Sequence, residues 1–421
     1  MRIACITTSV VPSTTANSIQ AMKVVHALYE LGNDVRLWVP EFKKSSWEQI
    51  QEIYGLRSHF DITWKRFHPF FKQYDFAWKS VSEAGQWDAD VIYTWTLQAA
   101  VFAQLGQIPT VMEFHDFPMG RIGPKLFKIY AASKGKKLSL CTTRALAEGI
   151  QEKFGVGFAS DELQIAPNGS DVERYKDLPN PEKARQMLNL KPGFTVGYSG
   201  HFYAGRGMEL LMEIACSLPE VNFLWVGGRS EDIQLWRERL QSKSVENVVI
   251  TGFIPNKRLP LYQAAADVLV MPYGRKICGS SGGDISKVIN PMKMFDYMAV
   301  GRPIIASNIP VFHEVLHEKI AIFCEPENLD EWVLAIRSLM KNSERCEKMS
   351  IQAREEAAPF VRRGGHLPRT EHLLHLFERH GAVCAQVQLD IRLRLAFPLH
   401  DGEHLLLINV FAAHHETAVR Q

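Results

Sequence analysis

Short apolar runs alternate with helix-forming stretches along most of this 421-residue chain. In the first half, strands are predicted at residues 3–8, 35–39, 91–94, 110–114 and 138–142, and helices at 18–31 and 144–154. The second half repeats the pattern, with strands at 194–198, 221–226, 248–251, 268–271, 304–306 and 320–323 and a helix at 208–217. Because parallel strands need helical crossovers, this alternation predicts an α/β fold with parallel sheets covered by helices.

The chain is too long for one hydrophobic core, and a turn-rich segment divides it. Single cores stop growing at about 250–300 residues, so 421 residues predict two domains. Dense turn signals lie between the two strand–helix patterns, in Pro-Asn-Gly-Ser-Asp at 167–171 and Leu-Pro-Asn-Pro at 178–181. We predict doubly wound domains at 1–170 and 191–358, joined by a linker at 171–190. Ligands of such sheets bind at the carboxyl ends of the strands.

The composition of the chain indicates which kinds of partner and which cell compartment to expect. The net charge of +2 gives no support for nucleic-acid binding, and no nucleic-acid partner is predicted. No apolar run approaches the roughly 18 residues of a membrane span. The start of the chain is more typical of a first strand than of a signal peptide. Seven cysteines without a Cys-x-x-Cys pair are typical of reduced thiols, so we expect a cytoplasmic protein without a metal site.

Residues 290–307 combine a predicted helix start with two charges close to it. Asn290 is a favoured N-cap residue, and Pro291 suits the first helical position. The N-terminus of a helix attracts phosphate, and Lys293 would add a cation there. Asp296 would supply a carboxylate for ribose or sugar hydroxyls, so the pattern indicates a nucleotide-sugar site. The alternative interpretation is an ordinary capped helix before a strand.

Two glycine-rich loops lie in the second half. The loop at 197–207 includes Gly200, His201 and Arg206. Its glycines let the backbone approach a ligand, and the arginine can bind phosphate oxygens. The loop lacks the Gly-x-Gly-x-x-Gly fingerprint, which argues against a nicotinamide-dependent dehydrogenase. The loop at 274–286 is longer than a tight connection needs, and we interpret it as a binding lid in preference to a disordered loop.

The first half offers two further candidate sites. His115 and Asp116 follow the predicted strand at 110–114, at the edge where α/β sheets carry functional groups. We predict His115 as a catalytic residue, although a lone histidine is more often structural. The turn before the first helix presents Asn17 and Ser18 to a ligand, and capping of that helix is the alternative role.

The segment at 59–79 interleaves eight aromatic residues with four lysine or arginine residues. Aromatic side chains beside cations favour contact with a membrane surface that carries acidic headgroups. Peripheral membrane contact is therefore one partner prediction. The alternative is a helix whose aromatic face belongs to the core.

The end of the chain differs in composition from the rest. Residues 361–421 contain no lysine but hold 8 of the 15 histidines and seven arginines. The leucines of this segment show no sustained helical period. We interpret residues 359–421 as a tail altered by a change of translation frame near Phe360, with an added module as the alternative.

Four segments together resemble the family 4 glycosyltransferases of the GT-B fold over residues 1–358. They are Ala-Asn-Ser-Ile-Gln at 16–20 with Ala-Leu-Tyr-Glu-Leu-Gly at 27–32, Glu113-Phe-His-Asp116, Pro167-Asn-Gly169, and the segment 291–307. The resemblance implies two Rossmann-like domains facing across a cleft, with the acceptor on the first and the donor on the second. It implies sugar transfer from a nucleotide-sugar donor, with retention of configuration and without metal. The nucleotide sugar is then a co-substrate, and no cofactor is expected.

The resemblance also implies roles for individual residues. Arg206 and Lys293 would hold the donor diphosphate, Asp296 the ribose hydroxyls, and His115 would lie beside the donor sugar. The other predicted donor-site residues are Gly200, His201 and Asn290. The acceptor would be a glycan or lipid-linked glycan in surface polysaccharide synthesis, at the inner face of a membrane. A nucleotide-sugar epimerase and a non-catalytic nucleotide-sugar-binding protein are the alternatives.

Three departures from the family pattern bear on this prediction. Val288 and Asp296 stand where the family usually has a pair of glutamates, which changes the expected contact with the donor sugar. Thr-Ala-Asn-Ser at 15–18 replaces the glycine pair of the first loop. After Phe360 the chain has Val-Arg-Arg-Gly-Gly in place of a tryptophan-containing helix that crosses back to the first domain.

Overall fold

The computed structural model describes residues 1–71, 73–279 and 283–357. These residues form two parallel sheets with alternating helices, as the sequence pattern predicts. The predicted tail at 359–421 and residues 280–282 of the predicted lid lie outside the described residues. Within the described ranges, no helix is both long enough and apolar enough to cross a membrane.

The first domain is built on a seven-stranded parallel sheet. Its strands are β1 Arg2–Ile6, β2 Asp34–Pro40, β3 Asp61–Lys65, β4 Val91–Thr94, β5 Thr110–Phe114, β6 Lys137–Cys141 and β7 Leu163–Ile165. Its helices are α1 Ala16–Glu30, α2 Trp47–Tyr54, α3 Tyr74–Gln86, α4 Leu97–Leu105, α5 Gly123–Ala132 and α6 Arg144–Phe154. The strand order is β3-β2-β1-β4-β5-β6-β7, and it reverses between β1 and β4.

The second domain is built on a six-stranded parallel sheet. Its strands are β8 Thr195–Ser199, β9 Asn222–Val226, β10 Val248–Gly252, β11 Val268–Met271, β12 Ile304–Ser307 and β13 Ala321–Cys324. The helices after the first sheet are α7 Pro181–Met187, α8 Met208–Ser217, α9 Ser230–Ser242, α10 Leu259–Ala264, α11 Met292–Val300, α12 Leu329–Met340 and α13 Ser343–Ala357. The strand order is β10-β9-β8-β11-β12-β13, with its reversal between β8 and β11.

The sheets bury side chains on both faces, which is why the strands appear in the sequence as continuous apolar runs. Strand β9 shows this most simply. Leu224 and Val226 belong to one hydrophobic cluster, and Phe223 and Trp225 belong to the cluster on the opposite face. Each successive side chain points to the other face of a strand, so one run supplies two cores.

The segment between the two sheets packs onto the second domain. A 3-10 turn at Val172–Tyr175 and helix α7 place Tyr175 and Ala184 in the second domain's core. Arg185 lies 2.8 Å from a carboxylate oxygen of Asp267 at the start of β11. Much of the predicted linker at 171–190 is therefore packed structure, and the boundaries at 170 and 191 stay predictions.

The aromatic segment at 59–79 is not the single helix that was the alternative to membrane contact. It contains β3, a 3-10 turn at Pro69–Phe71 and the beginning of α3. Strand β3 lies at the edge of the sheet and none of its side chains is fully buried, so it lacks the apolar run of the central strands. Phe60 and Phe76 are buried, whereas Phe70 is 78% exposed.

Candidate active site

A cavity of about 670 Å³ lies between the two domains, at the carboxyl ends of strands from both sheets. The first domain contributes the loop after β1, the start of α1 and His115. The second domain contributes the loop after β8 and the start of α11. Both sets of residues flank the positions where the strand order reverses, and open α/β sheets bind their ligands at such positions.

Two cations from the second domain converge on this cavity. The ammonium of Lys293, on the first turn of α11, is buried without a hydrogen-bond partner and lies 3.7 Å from the centroid of the Tyr198 ring. The guanidinium of Arg206 lies 4.9 Å from the centroid of Tyr273, and Lys293 lies 5.5 Å from that ring. Burial, and then the charge of Arg206, holds the pKa of Lys293 well below its ordinary value. The pair is suited to receive an anion with two phosphate groups.

The predicted capping role of Asn290 is wrong. Helix α11 begins at Met292, and Pro291 stands at the N-cap position without a side-chain capping bond. Asn290 instead accepts a hydrogen bond from the backbone N–H of Asn168 through Oδ1, at 2.7 Å. The side-chain amide of Asn168 donates to the Asn290 carbonyl at 2.6 Å. Asn290 lines the cavity but chiefly ties the entry of α11 to the segment between the sheets.

Asp296 lines the cavity one helical turn beyond Lys293. The Ser170 hydroxyl, from the segment between the sheets, donates to its Oδ1 at 2.7 Å. The hydroxyl of the nearby Tyr175 donates instead to Oε1 of Gln263, at 3.2 Å. The bond from Ser170 holds the carboxylate in place and leaves it with lone pairs for hydroxyl groups of a ligand.

The loop after β8 wraps closely around the two cations. Gly200 has φ +139°, and a Cβ atom there would lie 2.9 Å from the Lys293 ammonium. His201 points across the cleft, where its Nε2 lies 3.1 Å from the backbone oxygen of Thr14. Burial lowers the pKa of His201, so its neutral ring donates Nε2–H to that carbonyl. His201 therefore joins the two domains at the edge of the cavity.

His115 lies at the carboxyl tip of β5, with 31% of its side chain exposed to the cavity. Its Nε2 lies 2.6 Å from Oε1 of Glu113, two residues earlier on the strand. Glu113 belongs to the motif Glu113-Phe-His-Asp116, but no role in the site was predicted for it. The available signal was a carboxylate within a strand that is otherwise apolar or neutral, because such a group needs partners when it is buried.

The turn before α1 separates the two residues predicted there. Asn17 lines the cavity in the first turn of the helix. Ser18 does not face the cavity, and its hydroxyl donates to the Val10 carbonyl and bonds to the Tyr54 hydroxyl, both at 2.7 Å. Ser18 is fully buried, so its side chain does not reach the cavity, and ligand binding through the backbone of this turn stays a prediction.

The valine at the family's glutamate position turns away from the cavity. Val288 is buried in a cluster of first-domain side chains that includes Phe114. Its carbonyl accepts a hydrogen bond from the Thr143 hydroxyl at 3.3 Å. An apolar residue here contributes to packing between the domains and presents no carboxylate to the cavity.

The described ends of the loop at 274–286 are ordered against the site. Cys278 and Asp284 form an antiparallel bridge, and the backbone N–H of Ile285 donates to the carbonyl of Ile277 at 2.9 Å. Ile285 lines the cavity. In the part of the chain that the structure describes, no group of three or more His, Cys, Asp or Glu side chains is arranged to hold a metal ion.

Comparison with solved structures places this architecture in a known class. HepE from Anabaena, solved in complex with UDP, superposes with a TM-score of 0.68 at 16% identity, covering 90% of this chain and 100% of HepE. A glycosyltransferase from Rickettsia africae gives 0.70 at 13% identity, covering 90% and 99%. Two Rossmann-like domains facing across a cleft therefore define the fold as GT-B, the fold of a class of glycosyltransferases.

Family models match each domain separately. The model described as Glycosyltransferase Family 4 matches residues 19–174, and the model described as Glycosyl transferases group 1 matches residues 193–342. The chain belongs to the group 1 glycosyltransferases of family 4.

Two curated relatives are similar over part of their length. The Bacillus subtilis protein named "Putative teichuronic acid biosynthesis glycosyltransferase TuaH" is 23% identical over 57% of this chain and 54% of its own. The alpha-galactosylglucosyldiacylglycerol synthase of Streptococcus pneumoniae is 20% identical over 49% and 55%. The chain spans about half the length of the curated relatives it matches.

Proposed function

We propose that this protein transfers a sugar from a nucleotide-sugar donor to an acceptor held on the first domain. The observation that carries the proposal is the buried ammonium of Lys293, which has no hydrogen-bond partner and lies beside Arg206 in the cavity between the domains. A buried, unpaired cation is unfavourable unless an anion joins it. A nucleoside diphosphate supplies that anion, and the HepE structure in complex with UDP supports the choice.

The proposed chemistry depends on stabilising the leaving diphosphate. Breaking the bond between the sugar and the β-phosphate leaves negative charge on the diphosphate. Lys293 and Arg206 are already in position to stabilise that charge without reorganisation. The N-terminus of α11 adds partial positive charge on the same side. We propose that the reaction needs no metal and no cofactor, and that turnover therefore persists in EDTA.

His115 would contact the donor sugar from the opposite wall of the cavity. Asp296 would bind the ribose, and Gly200 would allow the diphosphate to approach the backbone. Transfer with retention of anomeric configuration is the expected outcome for this family. Contacts between the domains, including His201 with Thr14, enclose the sugar so that an acceptor hydroxyl competes well with water.

The test is calorimetric titration with UDP, GDP and ADP, each without metal. One nucleotide should bind, and Lys293→Ala and Arg206→Ala should each weaken it about 10- to 100-fold, the range for a hydrogen bond to a charged group. Lys287→Ala is the matched control, because Lys287 is exposed on the same segment and does not line the cavity. Equal affinity in all four proteins would overturn the phosphate assignment.

Turnover distinguishes transfer from the alternatives. His115→Ala should reduce transfer strongly while nucleotide affinity changes little. An isomeric nucleotide sugar formed without acceptor would identify an epimerase. Nucleotide binding without diphosphate release from any tested donor would identify a binding protein.

For the acceptor, we propose a glycan or lipid-linked glycan at the inner face of a membrane. The names of the two curated relatives, which mention teichuronic acid and a glycosyldiacylglycerol, support this class. On the first domain, Phe42 and Phe70 are 55% and 78% exposed. The Arg66 side chain is 91% exposed and lies 3.6 Å from a carboxylate oxygen of Glu41, the residue before Phe42. Exposed apolar rings on the same domain as an exposed cation favour anionic lipid.

Sedimentation with phosphatidylglycerol vesicles tests the membrane proposal. The double variant Phe42→Ser, Phe70→Ser should lose binding. Leu105→Ser should keep it, because Leu105 is 63% exposed but ends α4 just before β5, at the amino ends of the strands, whereas Phe42 and Phe70 follow the carboxyl ends of β2 and β3. Equal binding by both variants, or no binding by the wild type, would overturn membrane contact and leave the donor site unaffected.

A further inference from the structure

The carboxylate of Glu113 is buried behind His115 on the first-domain side of the cavity, with 6% of the residue exposed. The side-chain amide of Gln20 and Nε2 of His115 both lie 2.6 Å from Oε1. The Tyr93 hydroxyl and the Trp95 indole N–H donate to Oε2. Glu113 thus gathers side chains from α1, from the end of β4 and from the tip of its own strand.

An ionised carboxylate accepts hydrogen bonds and cannot donate them. Burial by itself would raise the pKa of Glu113, but His115 and the hydrogen bonds outweigh burial and lower it. Every partner of Glu113 must therefore donate, including the His115 ring. The proton of a neutral His115 ring then resides on Nε2, and Nδ1 carries a lone pair.

We infer that Glu113 is a positioning residue that fixes both the ring orientation and the tautomer of His115, so that Nδ1 accepts a hydrogen bond from a hydroxyl group of the bound sugar. This inference rests on the proposed function, because it assigns a ligand to the same cavity. Glu113 does not line the cavity and does not touch the sugar. Its effect on turnover passes through His115.

Glutamine in place of Glu113 separates the two roles of the side chain. Gln is nearly isosteric, so it fills the same space, but its amide both donates and accepts. Oriented with its NH2 group toward His115, it would require Nε2 to accept, which moves the ring proton to Nδ1. Oriented the other way, it would direct that NH2 group at the Tyr93 and Trp95 donors. The fixed tautomer is therefore lost or weakened in Glu113→Gln.

The experiment is 15N NMR of histidine-labelled full-length protein, with the His115 signals assigned by their loss in His115→Asn. In the wild type at a pH where the ring is neutral, Nε2 should carry the proton. Glu113→Gln should show the Nδ1–H form or a mixture, and Glu113→Asp, which keeps an acceptor-only group, should restore Nε2–H. A wild-type Nδ1–H signal, or an unchanged Nε2–H signal in Glu113→Gln, would overturn the inference.

Kinetics with UDP-glucose as the donor probe gives the second measurement. Glu113→Gln should lower kcat by roughly 10²-fold or more, as a wrong histidine tautomer does in other enzymes, with the Kd for UDP unchanged within about twofold. Tyr93→Phe is the control for a purely structural role, since it removes a donor to Glu113 but keeps the bond to His115. Equal loss of kcat in Tyr93→Phe and Glu113→Gln would overturn the positioning role.

The NMR experiment and the nucleotide-binding experiment test different claims, so one claim can be overturned without the other. If the wild type neither binds UDP, GDP or ADP nor releases a nucleotide from any donor, the proposed function is overturned. The NMR result still decides whether Glu113 sets the tautomer of His115.

Discussion

The ammonium of Lys293 lies 3.7 Å from the centre of the Tyr198 ring, where a second-domain cation meets an aromatic face instead of an anion. A cation–π contact contributes about 0.5–2 kcal/mol, which is less than a buried charge loses by leaving water. The ammonium therefore occupies an environment that suits it poorly until an anion binds beside it. This relationship links the stability of the protein to the occupancy of its proposed donor site.

The first prediction concerns protons that accompany nucleotide binding. The pKa of Lys293 is well below its ordinary value in the protein alone, and a diphosphate beside the ammonium would raise it. Binding should then take up protons, and affinity should fall as the pH rises through the pKa of Lys293. Calorimetry with UDP at pH 8 in Pipes and in Tris measures the proton number from the difference in observed enthalpy.

At pH 8 the phosphates of UDP are already ionised, because the secondary phosphate pKa is about 6. Proton uptake there reports a protein group. Lys287→Ala should show the same uptake as the wild type, since this lysine is exposed and outside the cavity. Identical enthalpies in the two buffers would contradict the prediction.

The second prediction is that Lys293→Met stabilises the folded protein while weakening nucleotide binding about 10- to 100-fold. Burial lowers the pKa of Lys293, so the folded protein opposes its protonation more than the unfolded chain does. The penalty is fully present below the folded pKa and diminishes as the pH rises toward the ordinary lysine value. At neutral pH, Met should raise the free energy of unfolding by about 1–3 kcal/mol, the cost of a buried unsatisfied polar group.

Urea unfolding at pH 7 and at pH 10 measures this effect. The gain from Lys293→Met should be larger at pH 7 than at pH 10. A loss of stability at pH 7 would show that the contact with Tyr198 outweighs desolvation.

The architecture could be predicted from the sequence because parallel strands that are buried on both faces appear as short continuous apolar runs. Val91–Thr94, Thr110–Phe114 and Val268–Met271 were predicted with their observed bounds. Strand β3 was missed because its edge position leaves all its side chains at least partly exposed, and an apolar run is then not required.

A site residue could be predicted from the sequence only where its own loop or helix is enough to place it in the cavity. Lys293, Arg206, Asp296 and His115 all reach the cavity as expected. The environment of a side chain depends instead on contacts between distant segments. Gln20 reaches Glu113 across 93 positions, a pairing that no local pattern encodes.

The side chains of Asn290 and Ser18 do not cap a helix, and the reason is the same for both. Both residue types favour the N-cap position, but each side chain forms its hydrogen bond with a residue that is distant in the sequence. Asn168 and Asn290 are 122 positions apart, and Ser18 and Tyr54 are 36 apart. Local capping propensity carries no information on whether such a distant partner is present.

The third prediction concerns a contact that fastens the two domains together. The carboxylate of Glu314, in the second domain, accepts hydrogen bonds from the backbone N–H groups of Arg144 and Ala145 at 2.7 and 2.9 Å. These groups open helix α6 of the first domain, where a negative charge is favourable. Glu314→Ala should therefore speed hydrogen exchange in the first turn of α6 by about 5- to 30-fold, corresponding to about 1–2 kcal/mol.

Hydrogen exchange measured by mass spectrometry separates this effect from a general loss of stability. Exchange in α3, which is remote from the contact, should not change. Glu314→Gln should have a smaller effect, because an amide oxygen still accepts but carries no charge. Unchanged exchange in α6 of Glu314→Ala would mean that the contact does not hold the domains together in solution.

The fourth prediction compares two glycines that share a backbone conformation but differ in surroundings. Gly32 has φ +85°, and a Cβ added there would have no atom within 4 Å. Gly207 has φ +76°, and a Cβ added there would overlap the carbonyl oxygen of Pro272. Gly32→Ala should lose about 1–2 kcal/mol, the penalty of the left-handed conformation. Gly207→Ala should lose several kcal/mol more and also weaken UDP binding, because the backbone that carries Arg206 must move. Urea unfolding measures the loss of stability, and titration with UDP measures the loss of affinity. Equal losses of stability and affinity in the two variants would show that the loop adjusts without disturbing the donor site.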